Sequence, residues 1–573
     1  MFAALPTPQE MSTWDAKAKE IGIPEVVLME NAAREAFNVL REQYGPLSKT
    51  RIVLFMGGGN NGGDAACLAR HLYDAGALPR LISTKAAGNA RGATRLYLQL
   101  ARKLGISWQV LSGLRDVNTL FKELSSPKAC PEIIVDGLLG TGFIDNLREK
   151  ELALVRGINN FSGHSYILSL DVPSGLNALN GKPQPEAIHA NLTVTFQAAK
   201  PGLIPPESAE FTGKLAIRPI GIPKQIQTQV PASYRLWQNT PNCVNSPFFL
   251  ERGLPASPEP ATQNFPTPRH KGESGRVLIL GGSRNLGGAP RLCALGAYRS
   301  GAGLVCISAP GHSLDIARAM PELITLELPP VTTKPADPNI SVNICPEQEW
   351  PNITPPVLLH ALKNYDAAVI GPGMGRHNGA EQFIRALLES GNLPPTVFDA
   401  DALNALADQP ALLKLLRPGD ILTPHPGEAA RLLNCSTSEI QSHRLQAVKK
   451  LGELAPAVWV LKGPGSLVYA PGKPVTIFPY DIPNLAVAGS GDVLAGLIGT
   501  LLAQGLPADL AAIQAVNLHA IAGLMLAQAH PYRGNLPQDI AAKIPQAQKY
   551  TPHEFTNVQP ISFSAQHYTP AGE

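Results

Sequence analysis

Two sets of residues in this sequence have the types and spacing to do chemistry. The first spans three stretches: Asn60-Asn61-Gly62-Gly63-Asp64, Asp136 with Gly140-Thr141-Gly142 behind it, and Asp171 with Pro173-Ser174-Gly175 behind it. Each follows an apolar run (RIVLFM, EIIVD, SYILSLD) that reads as a buried strand. In parallel α/β sheets, ligands gather at the carboxyl ends of strands, so three such ends predict one crevice. Carboxylate, amide and hydroxyl groups suit a hard cation, and the soft ligands of zinc are missing. One strand-end aspartate alone is commonly a cap or turn former, and only the coincidence of three argues for a site. Gly57, Gly59 and Gly62 also satisfy G-x-G-x-x-G. A glycine turn that opens a helix offers free N–H groups to an anion, and Asp64 suits the positive first turn. The dinucleotide fingerprint also wants an acid about 20 residues on, for the ribose hydroxyls. Here the next strand, Leu78 to Ser83, is followed by Thr84 and Lys85, and no acid occurs from Ala75 to Arg115. That disfavours an ordinary NAD dehydrogenase.

The second set centres on Gly489-Ser490-Gly491-Asp492, which opens a helix with Val493, Leu494, Leu497, Ile498, Leu501 and Leu502 on its apolar face. Glycine amides at such a helix start can hold the charge that builds on a transferred phosphoryl group, with Asp492 beside it as base. His425 lies between two prolines at a strand end and is expected to face a site. Lys462-Gly463 follows VWVL and puts a cation beside a glycine turn, suitable for nucleotide phosphates. Singly, each of these reads as a helix cap or an ordinary surface group.

The elements that must position them fall into two blocks. A chain of 573 residues exceeds the roughly 250–300 that one core supports. Residues 52–219 alternate β-rich runs with helical patterns, which means a parallel sheet covered by helices. A second alternation begins at Arg276 with RVLILGGS and ends in helical sequence from Asp492 to about Lys543. The expected organisation is a domain over 1–222, a Pro-, Gln- and Ser-rich linker with little regular structure over 223–268, a domain over 269–546, and an extension over 547–573. The fold class is α/β in both halves.

Hydrophobic residues make up 44% and the net charge is +3, with no run of like charges, so neither nucleic acid nor a membrane surface is an expected partner. The N-terminus lacks a basic segment with an apolar core behind it and does not read as a signal peptide. The longest apolar stretch, around Leu494 to Leu502, is too short to span a bilayer. Seven scattered cysteines without C-x-x-C fit reduced thiols in a cytoplasmic protein. A homo-oligomer is expected.

NNGGD, DGLLGTG and DVPSG, together with LMENAAREAF (Leu28 to Phe37), resemble the NAD(P)H-hydrate epimerase domain over roughly residues 7–222. The resemblance implies a Rossmann-like domain that interconverts the R and S hydrates of NADH or NADPH. It implies that Asn60, Asn61, Gly62, Gly63 and Asp64 hold substrate with Gly140, Thr141, Gly142, Phe143, Ile144, Asp145, Asn146 and Asp171. Asp171 would be the proton-transfer carboxylate, and Asn61, Asp136 and Ser174 would bind K⁺. The nucleotide on the glycine loop would then be a damaged substrate rather than a hydride-transfer cofactor.

The later motifs form an ordered set: HKG at His270, SGAGLV, GPGMG at Gly371, FDADALN at Phe398, TPHPGEAARL, KGPGS and AGSGD. They resemble the ribokinase-like fold, and within it the ADP- or ATP-dependent NAD(P)H-hydrate dehydratases, over roughly 268–545. The resemblance implies that Ala289, Gly375, His425 and Asp492 contact the hydrate. Lys462, Gly463, Pro464, Gly465, Ser466 and Gly491 would contact ADP or ATP, a co-substrate used with Mg²⁺. Asp492 would be the base for phosphorylation of the C6 hydroxyl. Two departures stand out: the family's KGAGT and GGTGD are here KGPGS and AGSGD. Serine keeps each hydroxyl, whereas Pro464 removes one N–H. A kinase of a small vitamin-precursor alcohol, with a non-catalytic first half, would keep Asp492 but leave HPGE and the epimerase-like half unexplained. A first half that only binds RNA-processing proteins is disfavoured by the intact Asn61, Asp136, Asp171 and Ser174 set and by the near-neutral charge.

Overall fold

The computed structural model describes residues 2–237 (except 87, 89 and 144), 249–251, 274–310 (except 284), 320–328, 350–530 (except 352, 353, 377 and 378) and 534–548. The chain divides into two compact units that change over near Pro258.

In the first unit the sheet strands are β2 (Arg51–Met56), β3 (Leu78–Ser83), β4 (Ser107–Val110), β5 (Ile133–Gly137), β6 (Tyr166–Leu170), β7 (Leu192–Phe196), β8 (Lys214–Arg218) and β10 (Phe249–Glu251). Their order is β10-β8-β7-β6-β5-β2-β3-β4, and every pairing is parallel. The expected strands all form; β4, whose four residues carry little apolar signal, was not read from the sequence. Side chains alternate between two cores: Ile52, Leu54 and Met56 join one, Val53 and Phe55 the other. Helices therefore cover both faces, as a sheet of near-continuous apolar runs requires. The strand order reverses between β2 and β5, and the crevice at that switch point is where such sheets bind ligands. The turn from β2 into helix Asn60–Asp74 is closed by Gly57 N donating to Gly137 O (3.0 Å). A Cβ on Gly57 would lie 1.9 Å from Leu138 O, so only glycine lets the two strand ends approach this closely.

The structure corrects the start of the expected linker. Residues 224–229 form helix Lys224–Gln229, and β9 (Tyr234–Trp237) pairs antiparallel with β1 (Phe2–Leu5). Trp14 Nε1 donates to Val230 O (2.8 Å) and Ser233 N to Glu10 Oε1 (3.2 Å), which fastens this segment to the first unit. Its proline and glutamine content hid a sparse apolar pattern whose burial depends on partners more than 200 residues away. The rest of the linker, apart from β10, lies outside the described residues. So do His270-Lys271-Gly272 and the extension from 549.

The second unit holds β11 (Arg276–Leu280), β12 (Leu304–Pro310), β13 (Ile324–Leu328), β14 (Ala367–Ile370), β15 (Thr396–Phe398), β16 (Ile421–Leu422), β17 (Val458–Leu461), β18 (Leu467–Tyr469) and β19 (Val475–Ile477). Their order is β19-β18-β17-β16-β15-β14-β11-β12-β13, parallel from β13 to β17 and antiparallel for β18 and β19. Helix Ser490–Ala503 lies directly on helix Gly288–Arg299. A Cβ on Gly496 would be 1.9 Å from Cys293 O, and one on Gly296 2.3 Å from Val493 O. The glycines let the two backbones touch, and Thr500 Oγ1 donates across to Ala297 O (3.1 Å).

A second correction concerns apolar length. Among the described residues the longest apolar helix is Ala508–Ala529, not the stretch near Leu494. Its segment Ala508–Ala527 has a mean hydropathy of 1.7, enough to cross a membrane by length and composition, but 72% of its apolar window is buried in the protein. It also carries the buried polar side chains of Asn517 and His519, which marks it as a core helix.

Candidate active sites

The first site is a cavity of about 650 Å³ in the first unit. Asn60, Asn61, Asp64, Gly140, Thr141, Gly142, Phe143, Asp145, Asn146 and Asp171 all line it, while Ile144 lies outside the described residues. Gly62 and Gly63 do not line it. Their Cα atoms face inward: a Cβ would be 2.2 Å from Gly57 O at one and 2.4 Å from Thr94 Oγ1 at the other. They serve close packing, which lets the loop turn tightly. The backbone N–H groups of Gly58, Gly59, Asn60 and Asn61 make no hydrogen bond among the described residues. They form an anion cradle at the cavity wall.

Asp171 sits just past β6 in the left-handed region (φ 63°), which is uncommon for a residue other than glycine and marks functional sites. Its Oδ1 is ion-paired with Lys200 Nζ and accepts from Thr195 Oγ1 (3.2 Å). Lys200 is 1% exposed. It also donates to Thr195 Oγ1 (2.9 Å) and Phe196 O (3.1 Å), so its three donors are all directed. The other Asp171 oxygen, Oδ2, lies on the Gly140 side, 3.7 Å from where a Cβ on that glycine would be. Two more acids share the cavity. Burial, with Asp171 adding to it and Lys200 opposing, pushes Asp15 up to about 6. Burial, with Asp171 and Asp15 adding to it, holds Asp64 well above the usual carboxylate range. A fixed carboxylate thus stands beside one acid, Asp64, that keeps its proton, an arrangement for both taking and giving a proton.

Asp136 and Ser174 stand behind this wall. Asp136 is fully buried and accepts from Leu138 N (3.2 Å), Ser169 Oγ (2.9 Å), Ser174 N (2.8 Å) and Ser174 Oγ (2.5 Å). Burial raises its pKa against the pull of these bonds. Its visible role is to tie β5 to the turn after β6. Asn61 Nδ2 donates to Leu139 O (2.7 Å), whereas the buried Asn61 Oδ1 has no partner among the described residues. An orphaned amide oxygen beside carbonyl and hydroxyl oxygens fits a hard cation.

The second site runs along the carboxyl ends of β14 to β17. Backbone bonds extend the sheet past the strands: Asp399 N to Ile370 O (3.0 Å), Thr423 N to Phe398 O (3.2 Å) and Lys462 N to Pro424 O (2.9 Å). Asp399 Oδ1 accepts from Thr423 Oγ1 (2.7 Å) and Lys462 Nζ (2.7 Å), and Lys462 lies 4.0 Å from Glu428 Oε2. Burial opposes the charge on Lys462, but Asp399 and Glu428 outweigh it and hold the ammonium above its ordinary range. A Cβ on Gly491 would be 3.3 Å from Lys462 Nζ, which brings the AGSGD turn to the same point. The Asp492 carboxyl accepts no hydrogen bond among the described residues, nor do the N–H groups of Gly491 and Asp492 donate one. Burial, with Asp399 adding to it, pushes Asp492 up to about 8, and burial pushes Glu428 up to about 7.

His425 caps helix Pro426–Leu432. Its Nδ1 accepts from Gly427 N (3.0 Å), its own N donates to Glu428 Oε2 (2.8 Å), and its side chain is 51% exposed, facing out as its prolines predicted. Gly375 (φ 79°) donates its N–H to Asp401 Oδ2 (2.8 Å). Gly373 in the same loop meets Ala289 at the start of its helix, 3.0 Å from a built Cβ to the alanine's. The KGPGS loop has Gly463 and Gly465 at positive φ. Arg444 Nη2 clamps its carbonyls at Leu461, Lys462 and Gly465 (3.2–3.3 Å), and Ser466 Oγ donates to Gly463 O (2.8 Å). Arg444 thus holds the loop that Pro464 stiffens.

The family model described as the YjeF-related protein N-terminus matches residues 25–202, and the one described as NAD(P)H-hydrate dehydratase matches 277–546. A bifunctional NAD(P)H-hydrate repair enzyme of Moorella thermoacetica is 34% identical over 94% of this chain and 96% of its own. The chain belongs to the bifunctional NAD(P)H-hydrate repair enzymes. Members from Coxiella burnetii and Escherichia coli are 33% and 32% identical, each over 91% of this chain and over 95% and 89% of their own. A solved ribokinase-like protein from Enterococcus faecalis covers 50% of this chain and 90% of its own at 23% identity and TM-score 0.41. An ADP/ATP-dependent NAD(P)H-hydrate dehydratase from Bacillus subtilis, solved with ATP and Mg²⁺, covers 49% and 92% at 25% identity and TM-score 0.38.

Four residues of this repair enzyme escaped the sequence reading. Lys200 was hidden in FQAAKPG, although a lysine at the end of an apolar strand run asks for a partner. Asp399 and Glu428 lay inside the quoted FDADALN and HPGE without a role. His519 is a lone histidine in the most apolar helix; burial pulls it down to about 4, and its Nε2 lies 3.2 Å from Ser490 Oγ, bracing the AGSGD turn.

Proposed function

We propose that the first half interconverts the R and S hydrates of NADH and NADPH, and that the second dehydrates the S form at the expense of ADP or ATP. The observation that carries this reading is the Asp171–Lys200 pair on the same cavity as the free N–H groups of the glycine loop. The loop takes the nucleotide's phosphates. Asp171 Oδ2 takes the proton of the C6 hydroxyl as the hemiaminal C–N bond opens, and returns it as the ring closes on the other face. Asp64, which lines the same cavity and which burial keeps protonated, would give its proton to the departing nitrogen. A positioned acid/base contributes ~10²–10⁴-fold to such a step. Asn61 Oδ1, with Asp136 and Ser174 behind it, would hold K⁺, which supplies positive charge beside the substrate's oxygens.

In the second half Asp492 takes the proton of the C6 hydroxyl as that oxygen attacks the terminal phosphoryl group. The N–H groups of Gly491 and Asp492 hold the charge in transit, and Lys462 with residues 463–466 holds the nucleotide. Ala289, Gly375 and His425 flank the hydrate. Phosphate then leaves C6, driven by the ring nitrogen's lone pair, and loss of a proton from C5 restores the dihydronicotinamide. The buried carboxylates of Asp399 and Glu428 would hold Mg²⁺, which offsets the charge of the nucleotide phosphates. Five free cysteines among the described residues fit the reducing environment of a cytoplasm.

The test is recovery of the dihydronicotinamide absorbance from separate R and S hydrates with ADP or ATP, Mg²⁺ and K⁺. Recovery from both epimers is expected, with Asp492→Ala inactive and Asp171→Ala stalled on the R form alone. No recovery with either nucleotide overturns the dehydratase reading.

A further inference from the structure

Counting outward from the glycine loop, the order β4-β3-β2-β5-β6-β7 is that of a dinucleotide-binding sheet, 3-2-1-4-5-6. In that frame the phosphates lie on the loop after β2. The reacting ring lies beyond β5 and β6, where Asp171 stands, and the adenosine ribose lies at the end of β3. Chains that bind NAD through this frame carry an acid there, which accepts from the ribose hydroxyls and repels a phosphate. This chain has no acid from Ala75 to Arg115 and carries Lys85 at that point.

Lys85 lines the same cavity as Asp171 and the glycine loop. Its backbone is pinned through Ser83, whose Oγ donates to Lys85 O (2.6 Å) and accepts from Lys85 N (3.2 Å). Its side chain lies over Gly58: a Cβ there would be 2.5 Å from Lys85 Cδ and 3.0 Å from Nζ. Gly58 thus leaves the room that the lysine stem fills. Lys85 makes no ion pair among the described residues. A second ammonium stands close by, since Lys150 Nζ donates to Thr84 O (3.0 Å) and Leu111 O (3.4 Å) at the ends of β3 and β4.

We propose that Lys85 recognises a 2′-phosphate on the adenosine ribose and so makes hydrated NADPH the preferred epimerase substrate over hydrated NADH. The inference rests on the epimerase reading above. An ammonium with free donors gains a charge-assisted contact with a phosphate dianion and much less with a neutral hydroxyl. The contact is far from the reacting carbon and is the same in ground and transition states, so it acts on KM rather than kcat.

The experiment uses the full chain and the R hydrates of NADPH and NADH without ADP or ATP, so that only epimerisation registers, with the epimers separated by chromatography. Lys85→Ala is expected to raise KM for the NADPH hydrate about tenfold, to leave the NADH hydrate within twofold and to keep kcat for both. Lys85→Glu is expected to reverse the preference. Equal effects on the two substrates, or none, overturn the role of Lys85 while leaving the epimerase reading intact. A wild-type chain that epimerises neither hydrate overturns both.

Discussion

Replacing Asp492 by Asn should stabilise the second unit while destroying its activity. Burial and the neighbouring Asp399 push this carboxyl from an ordinary 3.8 up to about 8. Below pH 3.8 the group is protonated whether the chain is folded or not, and costs nothing. Between pH 3.8 and about 8 the unfolded chain ionises it and the folded chain does not, so stability falls by about 1.4 kcal/mol per pH unit. At pH 7 the loss is about 4 kcal/mol. Above about 8 both states are ionised and the loss stays constant. Asparagine has the shape of the neutral form and no charge to desolvate. Asp399 and Glu428 remain and keep a share of their mutual repulsion, so the recovered stability at pH 7 is on the order of 2–4 kcal/mol. The assay is denaturant unfolding of wild type and Asp492→Asn at half-unit steps from pH 4 to pH 9. The variant should be no more stable at pH 4, should gain steadily up to about pH 8 and then level off. In parallel, wild-type dehydratase kcat/KM should rise about tenfold per pH unit up to about pH 8, because the free enzyme must first ionise its base. A variant equal to or less stable than wild type at pH 7, or a gain that does not grow with pH, would refute the reasoning.

Lys200→Met should lower epimerase kcat about 100-fold and leave the dehydratase rate unchanged, because it removes the one charged partner of Asp171 Oδ1 and leaves that oxygen only the longer contacts from Thr195 Oγ1 (3.2 Å) and Phe196 N (3.4 Å); steady-state assays of the two steps on one preparation separate the effects. Gly496→Ala puts a methyl 1.9 Å from Cys293 O, so the helices must part; unfolding should show a loss of about 1–3 kcal/mol and dehydratase activity should fall with it. His519→Phe should keep the fold but slacken the AGSGD turn, seen as lower dehydratase kcat with epimerase activity untouched. Replacing K⁺ by a bulky organic cation should slow the epimerase and not the dehydratase, and Asn61→Ala should abolish that dependence.

Much of the architecture was legible because its signals are local. Runs such as RIVLFM and VWVL are apolar on both faces and can only be inner strands, and glycine turns such as GGGNNGGD and AGSGD mark strand-to-helix junctions wherever they occur. The segment 224–237 was misread because its few apolar residues are buried only by the N-terminal strand and by Trp14. Helix Ala508–Ala529 was passed over because Asn517 and His519 interrupt its apolar character, although both are buried where it packs.

The site motifs were likewise visible one by one, each with its own bland reading as a cap or a turn. Strand pairing decided which of them meet. β2 lies beside β5, about 80 residues on, and so brings Asn61 to Leu139. The ends of β6 and β7 bring Asp171 to Lys200, and the ends of β15 and β17 bring Asp399 to Lys462 across 63 residues. Sequence alone determined the acids, the glycines that leave N–H groups free, and the two-block order of elements, because each of those depends on neighbours within one turn or one strand. Only the tertiary structure decided which acids are held by a buried cation and which keep their protons, because a carboxyl's charge depends on how deeply it is buried and on what the other strand ends place beside it.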